Sequence, residues 1–135
     1  MIINFTIPGQ VKSKARPRMS TRTGRAYTPK DTVMYENWVR QCYIDQVGRN
    51  MLEGTLVADI TAYYQMPKTS ATKALKMVSG EIRPVVKPDL DNVAKIVLDS
   101  LNGIAYADDK QIVELRVKKV YGSEPKVEVV ISSLG

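Results

Sequence analysis

Lys87-Pro88-Asp89-Leu90-Asp91-Asn92 sets two carboxylates two residues apart, directly after a proline. The chain has no histidine and a single cysteine, Cys42. Serine–histidine–aspartate triads, histidine general bases and histidine- or thiolate-built zinc sites are therefore excluded. A catalytic metal would have to take oxygen ligands, which points to the hard ions Mg2+ or Mn2+. Pro88 disfavours helix at Lys87. If a helix begins at or just after Asp89, that residue is its N-cap and Asp91 lies in the first turn. Deep inside a helix the two side chains would point about 200° apart. At the start they can converge, and the helix N-terminus favours their ionised form.

Downstream, Asp91, Lys95 and Asp99 recur four residues apart on one polar face. Lys95 sits one turn above Asp91, placed to meet a phosphate and to stabilise developing charge. A second acidic pair, Asp108-Asp109, precedes a strand. Neighbours in extended chain point to opposite faces, so one of the two is expected to reach a metal. Each residue also has a plainer job open to it. Asp89 could only cap a helix, Lys95 could be a solvated partner of Asp91 or Asp99, and Asp108-Asp109 could be a turn. Three clustered carboxylates with a lysine on the same face favour the metal-site alternative.

The charge distribution supplies a second feature. Of 20 lysines and arginines, seven fall in residues 1–30, with no acidic residue among them: Lys12, Lys14, Arg16, Arg18, Arg22, Arg25 and Lys30. The rest of the chain holds 13 basic and 14 acidic residues, so the net +6 resides in this segment. Seven cations in one short segment repel one another unless an anion meets them. Lys12, Lys14, Arg16, Arg18, Arg22 and Arg25 are accordingly the candidate phosphate contacts of a nucleic-acid partner.

The elements that must position these groups follow from periodicity. Alternation predicts strands over 2–7, 55–66, 112–120 and 126–132. Residues 8–27, rich in Gly, Pro, Ser, Thr and basic residues, read as an exposed loop anchored at both ends. A helix is expected from Thr28 as N-cap and Pro29 at its first position to about Arg49, with Tyr35, Trp38, Val39 and Cys42 facing the core. Residues 67–87 form a long basic connection whose middle, about 70–78, suits a short helix. A helix over 90–102 carries Leu90, Val93, Ala94, Val97, Leu98 and Leu101 on one stripe and stops at Gly103. Gly122-Ser123-Glu124-Pro125 reads as a hairpin connection, and Tyr106 as a core residue. The order is β-α-β-α-β-β, an α+β chain in which 1–135 form a single domain with two main helices. One cysteine, no signal-like start and no long apolar run suggest a cytoplasmic protein.

Lys87-Pro88-Asp89-Leu90-Asp91-Asn92, Lys95, Leu98-Asp99, Leu101-Asn102-Gly103 and Asp108-Asp109-Lys110-Gln111 resemble the signature of the RusA family of Holliday junction resolvases. Pro8-Gly9, Lys12, Lys14, Arg16-Pro17-Arg18 and Tyr27-Thr28-Pro29 resemble the N-terminal block of its phage- and prophage-borne branch. The resemblance implies a mixed β-sheet with helices packed on it. It also implies a homodimer that cuts four-way DNA junctions by paired nicks in DNA recombination and repair, with Mg2+ or Mn2+. The family's essential aspartates fall on Asp89, Asp91 and Asp109, with Asp108 a possible accessory, and its essential lysine on Lys95. A nuclease for flaps or other branched DNA, and a catalytically idle DNA-binding protein, are the rival classes.

Overall fold

The computed structural model describes residues 1–14 and 17–134. Strand β1 (Ile2–Pro8) leads into a two-residue pair, β2 (Arg18–Met19) and β3 (Ala26–Tyr27), and then into helix α1 (Lys30–Gln46). Strand β4 (Leu56–Gln65), helices α2 (Ala71–Val78) and α3 (Leu90–Ser100), a 3-10 turn at Asp109–Gln111, and strands β5 (Ile112–Gly122) and β6 (Lys126–Ser133) complete the chain. The main sheet has the order β1-β6-β4-β5 and is mixed. β4 runs parallel to β5 and antiparallel to β6, and β1 pairs antiparallel with β6.

The alternation of β4 is what the sheet uses. Leu56, Ala58, Ile60, Ala62 and Tyr64 are buried on the helix-covered face. Phe5 and Ile7 of β1 and Val127, Val129 and Ile131 of β6 continue that face. From the helices, Tyr35, Val39, Cys42 and Tyr43 of α1 and Val93, Ile96 and Val97 of α3 pack onto it. Burying these side chains is the main driving force that holds the two helices on the sheet.

Several expectations need correction. Residues 122–125 do not close a hairpin of paired strands, because β4 lies between β5 and β6. The connection passes over the end of β4, where Met66 N–H donates to Gly122 O and Gln65 Nε2 to Ser123 O. β4 can take this central place because it is apolar on one face along its whole length, whereas β5 keeps much of its surface exposed, as an edge strand does. Helix α1 is capped at Pro29 rather than Thr28 and ends at Gln46, before the left-handed Gly48. Trp38 is not core: it is 43% exposed, and its indole N–H donates to Pro8 O at 2.9 Å. Tyr43 takes the buried place on the stripe instead. The segment 8–27 is not wholly loop, since β2 and β3 pair within it, whereas the short helix expected at about 70–78 is present as α2.

Candidate active site

The approach to α3 is held from below by the sheet. Tyr64 at the end of β4 donates its hydroxyl to Pro88 O at 3.4 Å, and the Lys119 ammonium of β5 is bound to Val86 O. These two contacts fix the segment that presents Asp89. Burial raises the Tyr64 phenol above its ordinary pKa, and the nearby Asp89 charge raises it further.

Asp89 occupies the N-cap position of α3 with extended backbone, yet its side chain makes no capping hydrogen bond. Only its carbonyl enters the helix, accepting from Val93 N–H at 3.0 Å. Asp91 lies in the first turn, and Asp89, Asp91 and Lys95 are all exposed. The plainer alternative of a side-chain cap therefore does not describe Asp89. It does describe Asp108, which caps the 3-10 turn. Its Oδ1 accepts from Lys110 N–H at 2.8 Å, and Gln111 Oε1 returns the bond to Asp108 N–H at 3.2 Å. That hydrogen bond from the Lys110 backbone is the first cause of the low pKa of Asp108.

Asp109 is turned the other way, toward α3. Its N–H donates to Asn102 Oδ1 at 2.8 Å, and its carboxyl hydrogen-bonds Asp99. The bond to Asp99, then burial, then the bond to Asp108 push the Asp109 carboxyl up to about 6. Tyr106 holds this loop down. It is fully buried, as expected for a core residue, and its hydroxyl donates to Leu98 O at 2.7 Å. Arg40 of α1 donates to Ser100 O at 2.9 Å, placing a cation at the C-terminal end of α3, where the helix dipole favours one.

The acidic residues thus divide between the two ends of α3. Asp99 stands eight residues from Asp91, about 12 Å of helix rise. Asp109 joins Asp99 rather than Asp89 and Asp91, and among the described residues no group of three or more Asp, Glu or Cys side chains gathers to hold one ion. The donor chemistry still suits a hard cation. Mg2+ commonly takes one or two carboxylates and fills its remaining positions with water and substrate phosphate. Asp89 and Asp91 can provide the two.

The basic segment stands away from the core. Lys12, Arg18, Arg22 and Arg25 are exposed, while Arg16 lies outside the described residues. β2 and β3 form a small hairpin whose turn is closed by Ser20 N–H to Arg25 O and Gly24 N–H to Ser20 O, both at 2.9 Å. Gly24 has φ +70, a conformation that a side chain would strain. Lys14 differs from its neighbours. Its ammonium lies 3.0 Å from Glu36 Oε2 of α1 and 3.1 Å from Asp99 Oδ2 of α3. Partial burial works against its charge, but the hydrogen bonds and charges of Glu36 and Asp99 prevail, and its pKa is raised. The expectation that no acid neutralises the segment holds for its sequence but not for its folded surroundings. Asp99 and Glu36 were not marked as site residues by sequence. The four-residue recurrence of Asp99 behind Asp91 and Lys95, and its place in the Leu98-Asp99 part of the family signature, are the signals for the first.

These features define a small single-domain α+β protein with exposed carboxylates at the start of one helix and a separate cationic hairpin. The model of the endodeoxyribonuclease RusA family matches residues 8–132, nearly the whole chain, and the protein belongs to that family. It is also 37% identical over 134 residues to the Bacillus subtilis (strain 168) protein named "Uncharacterized protein YqaN", covering 96% of this chain and 94% of that one.

Proposed function

We propose that the protein is a divalent-metal-dependent endonuclease that resolves four-way DNA junctions by paired, symmetric nicks, acting as a homodimer. The observation that carries this reading is the exposed set Asp89, Asp91 and Lys95 at the start of α3, where the Asp89 carboxylate performs no capping. Carboxylates that meet DNA repel its phosphates unless a cation offsets them, so an exposed acidic pair in a chain that also carries a basic arm favours catalysis over simple binding. Family membership gives the reaction class.

Asp89 and Asp91 would hold Mg2+ or Mn2+, with Asp109 a further essential carboxylate and Asp108 an accessory through its cap of the 3-10 turn. Bound there, the ion supplies Lewis acidity and charge neutralisation at the scissile phosphate. Lys95, one turn along the same helix, faces the charge that builds on the phosphate oxygens and stabilises it. With no histidine in the chain, no imidazole base takes part. Lys12, Arg18, Arg22, Arg25 and, by its place in the sequence, Arg16 contact DNA phosphates. A two-fold homodimer matches the two symmetry-related scissile bonds of a junction. The phage- and prophage-type N-terminal block and a cytoplasmic setting belong to the same proposal.

The test is cleavage of a mobile four-way junction in Mg2+, beside linear duplex and a single-strand flap of the same sequences. Symmetric nicks confined to the junction are expected. Preferential cutting of the flap would instead make the protein a nuclease for other branched DNA.

A further inference from the structure

Lys14 sits at a mechanical junction. On its N-terminal side the chain is pinned to the body by the Trp38 indole on Pro8 O, by Gly9 N–H on Pro125 O at 3.0 Å and by buried Val11. On its C-terminal side, among the described residues, the side-chain and turn hydrogen bonds of 18–25 close on the hairpin itself. Among the described residues, Lys14 is the last before the hairpin with an ion pair to the body, and that pair spans two helices. Glu36 belongs to α1, which receives the other stem of the hairpin. Asp99 belongs to α3 and is hydrogen-bonded to Asp109. An ammonium satisfied by two carboxylates at 3.0 and 3.1 Å has little left to offer a phosphate.

We propose that Lys14 is a positioning residue: held between Glu36 and Asp99, it is the clamp that orients the hairpin arm relative to α1 and α3, and it is not one of the arm's phosphate contacts. This rests on the nuclease reading for the arm's role, but the clamp itself can be tested without DNA. Of two cations in the same basic segment, Lys14 and Arg18, one then acts through geometry and the other through charge. The two effects separate in salt. Removing a phosphate contact flattens the dependence of log binding constant on log salt by about 0.9, whereas misorienting the arm weakens binding at every salt concentration in parallel.

The experiment has two arms, run on wild type, Lys14→Met, Glu36→Gln, the Lys14→Met/Glu36→Gln double variant and Arg18→Ala. In the first, the free proteins are exposed to trypsin and cutting after Arg22 and Arg25 is timed by mass spectrometry. Cutting is expected to be several-fold faster in Lys14→Met and Glu36→Gln than in wild type, with circular dichroism unchanged. In the second, four-way junction binding is titrated with salt in the absence of divalent ions. Lys14→Met and Glu36→Gln are expected to weaken binding with slopes parallel to wild type, the double variant no more than either single one, while Arg18→Ala flattens the slope. A Lys14→Met slope flattened as much as that of Arg18→Ala would make Lys14 a phosphate ligand and overturn the proposal. Unchanged arm cutting would overturn it too. Failure of wild type to bind the junction would sink the nuclease reading instead, leaving the cutting rates to decide the clamp.

Discussion

Asp89 and Asp108 stand at equivalent positions, each at the entry to a helical turn, and only Asp108 uses its side chain as a cap. Asp108→Ala is therefore expected to lower the midpoint of urea denaturation through loss of this cap. Asp89→Ala should stay within about 0.5 kcal/mol of wild type, as surface substitutions do, while losing junction cleavage. A large stability loss in Asp89→Ala would return that residue to a structural role. Asp109 gives a prediction with a sign. Its folded pKa of about 6 lies above the ordinary 3.8. The protonated, hydrogen-bonded form thus stabilises the fold at low pH, and this contribution is lost as pH rises through about 6. In metal-free protein, the stability of wild type relative to Asp109→Asn should therefore fall between about pH 4.5 and pH 7. A difference flat in pH would contradict the bond to Asp99. Residue type and spacing singled out Asp89, Asp91, Lys95 and the acidic pair. They could not divide the pair, because the division depends on which carboxylate meets Asp99, a contact made only by the folded loop.

At the scale of elements, α3 is the beam on which the site is built, and the loop from Gly103 to Gln111 is folded back along it. Tyr106 fastens that loop. Tyr106→Phe removes one of the two donors to Leu98 O, which keeps the Leu101 N–H at 3.2 Å, and is expected to cost about 0.5–1.5 kcal/mol in thermal or urea unfolding. A cost near zero would mean that the hydroxyl does not hold the loop. The arm makes the second element-scale prediction: Arg18→Ala, Arg22→Ala and Arg25→Ala combined should lower the salt slope of junction binding by up to about 2.7, at 0.9 per contact. The elements themselves followed closely from pattern where the pattern was long. The alternating face of β4 and the apolar stripe of α3 fall within two residues of their expected ends. The two shortest strands did not follow. β2 and β3 have two residues each, too few for a period, and their pairing rests on the turn around Gly24. The insertion of β4 between β5 and β6 is a property of the sheet and is written in none of the three strands alone. Trp38 fell on the expected stripe but near its margin, and it serves as a donor to Pro8 rather than as core.

For the whole molecule, the main division is between a balanced body and a charged arm. The arm carries the entire net charge, and Lys14 alone of its described cations returns to the body by an ion pair. The proposed homodimer of this 15.1 kDa chain is expected to sediment as a species of about 30 kDa, twice the chain mass. A monomer that still makes paired nicks would contradict the dimer. The measurement that bears most directly on the acidic end of α3 as a catalytic centre compares Asp91→Asn with wild type, for binding and for cleavage of the same four-way junction in Mg2+. Wild type should bind and nick both strands symmetrically. Asp91→Asn should bind at least as tightly and leave the junction intact. Cleavage by Asp91→Asn at the wild-type rate would contradict the assignment and return these carboxylates to the surface of a DNA-binding fold.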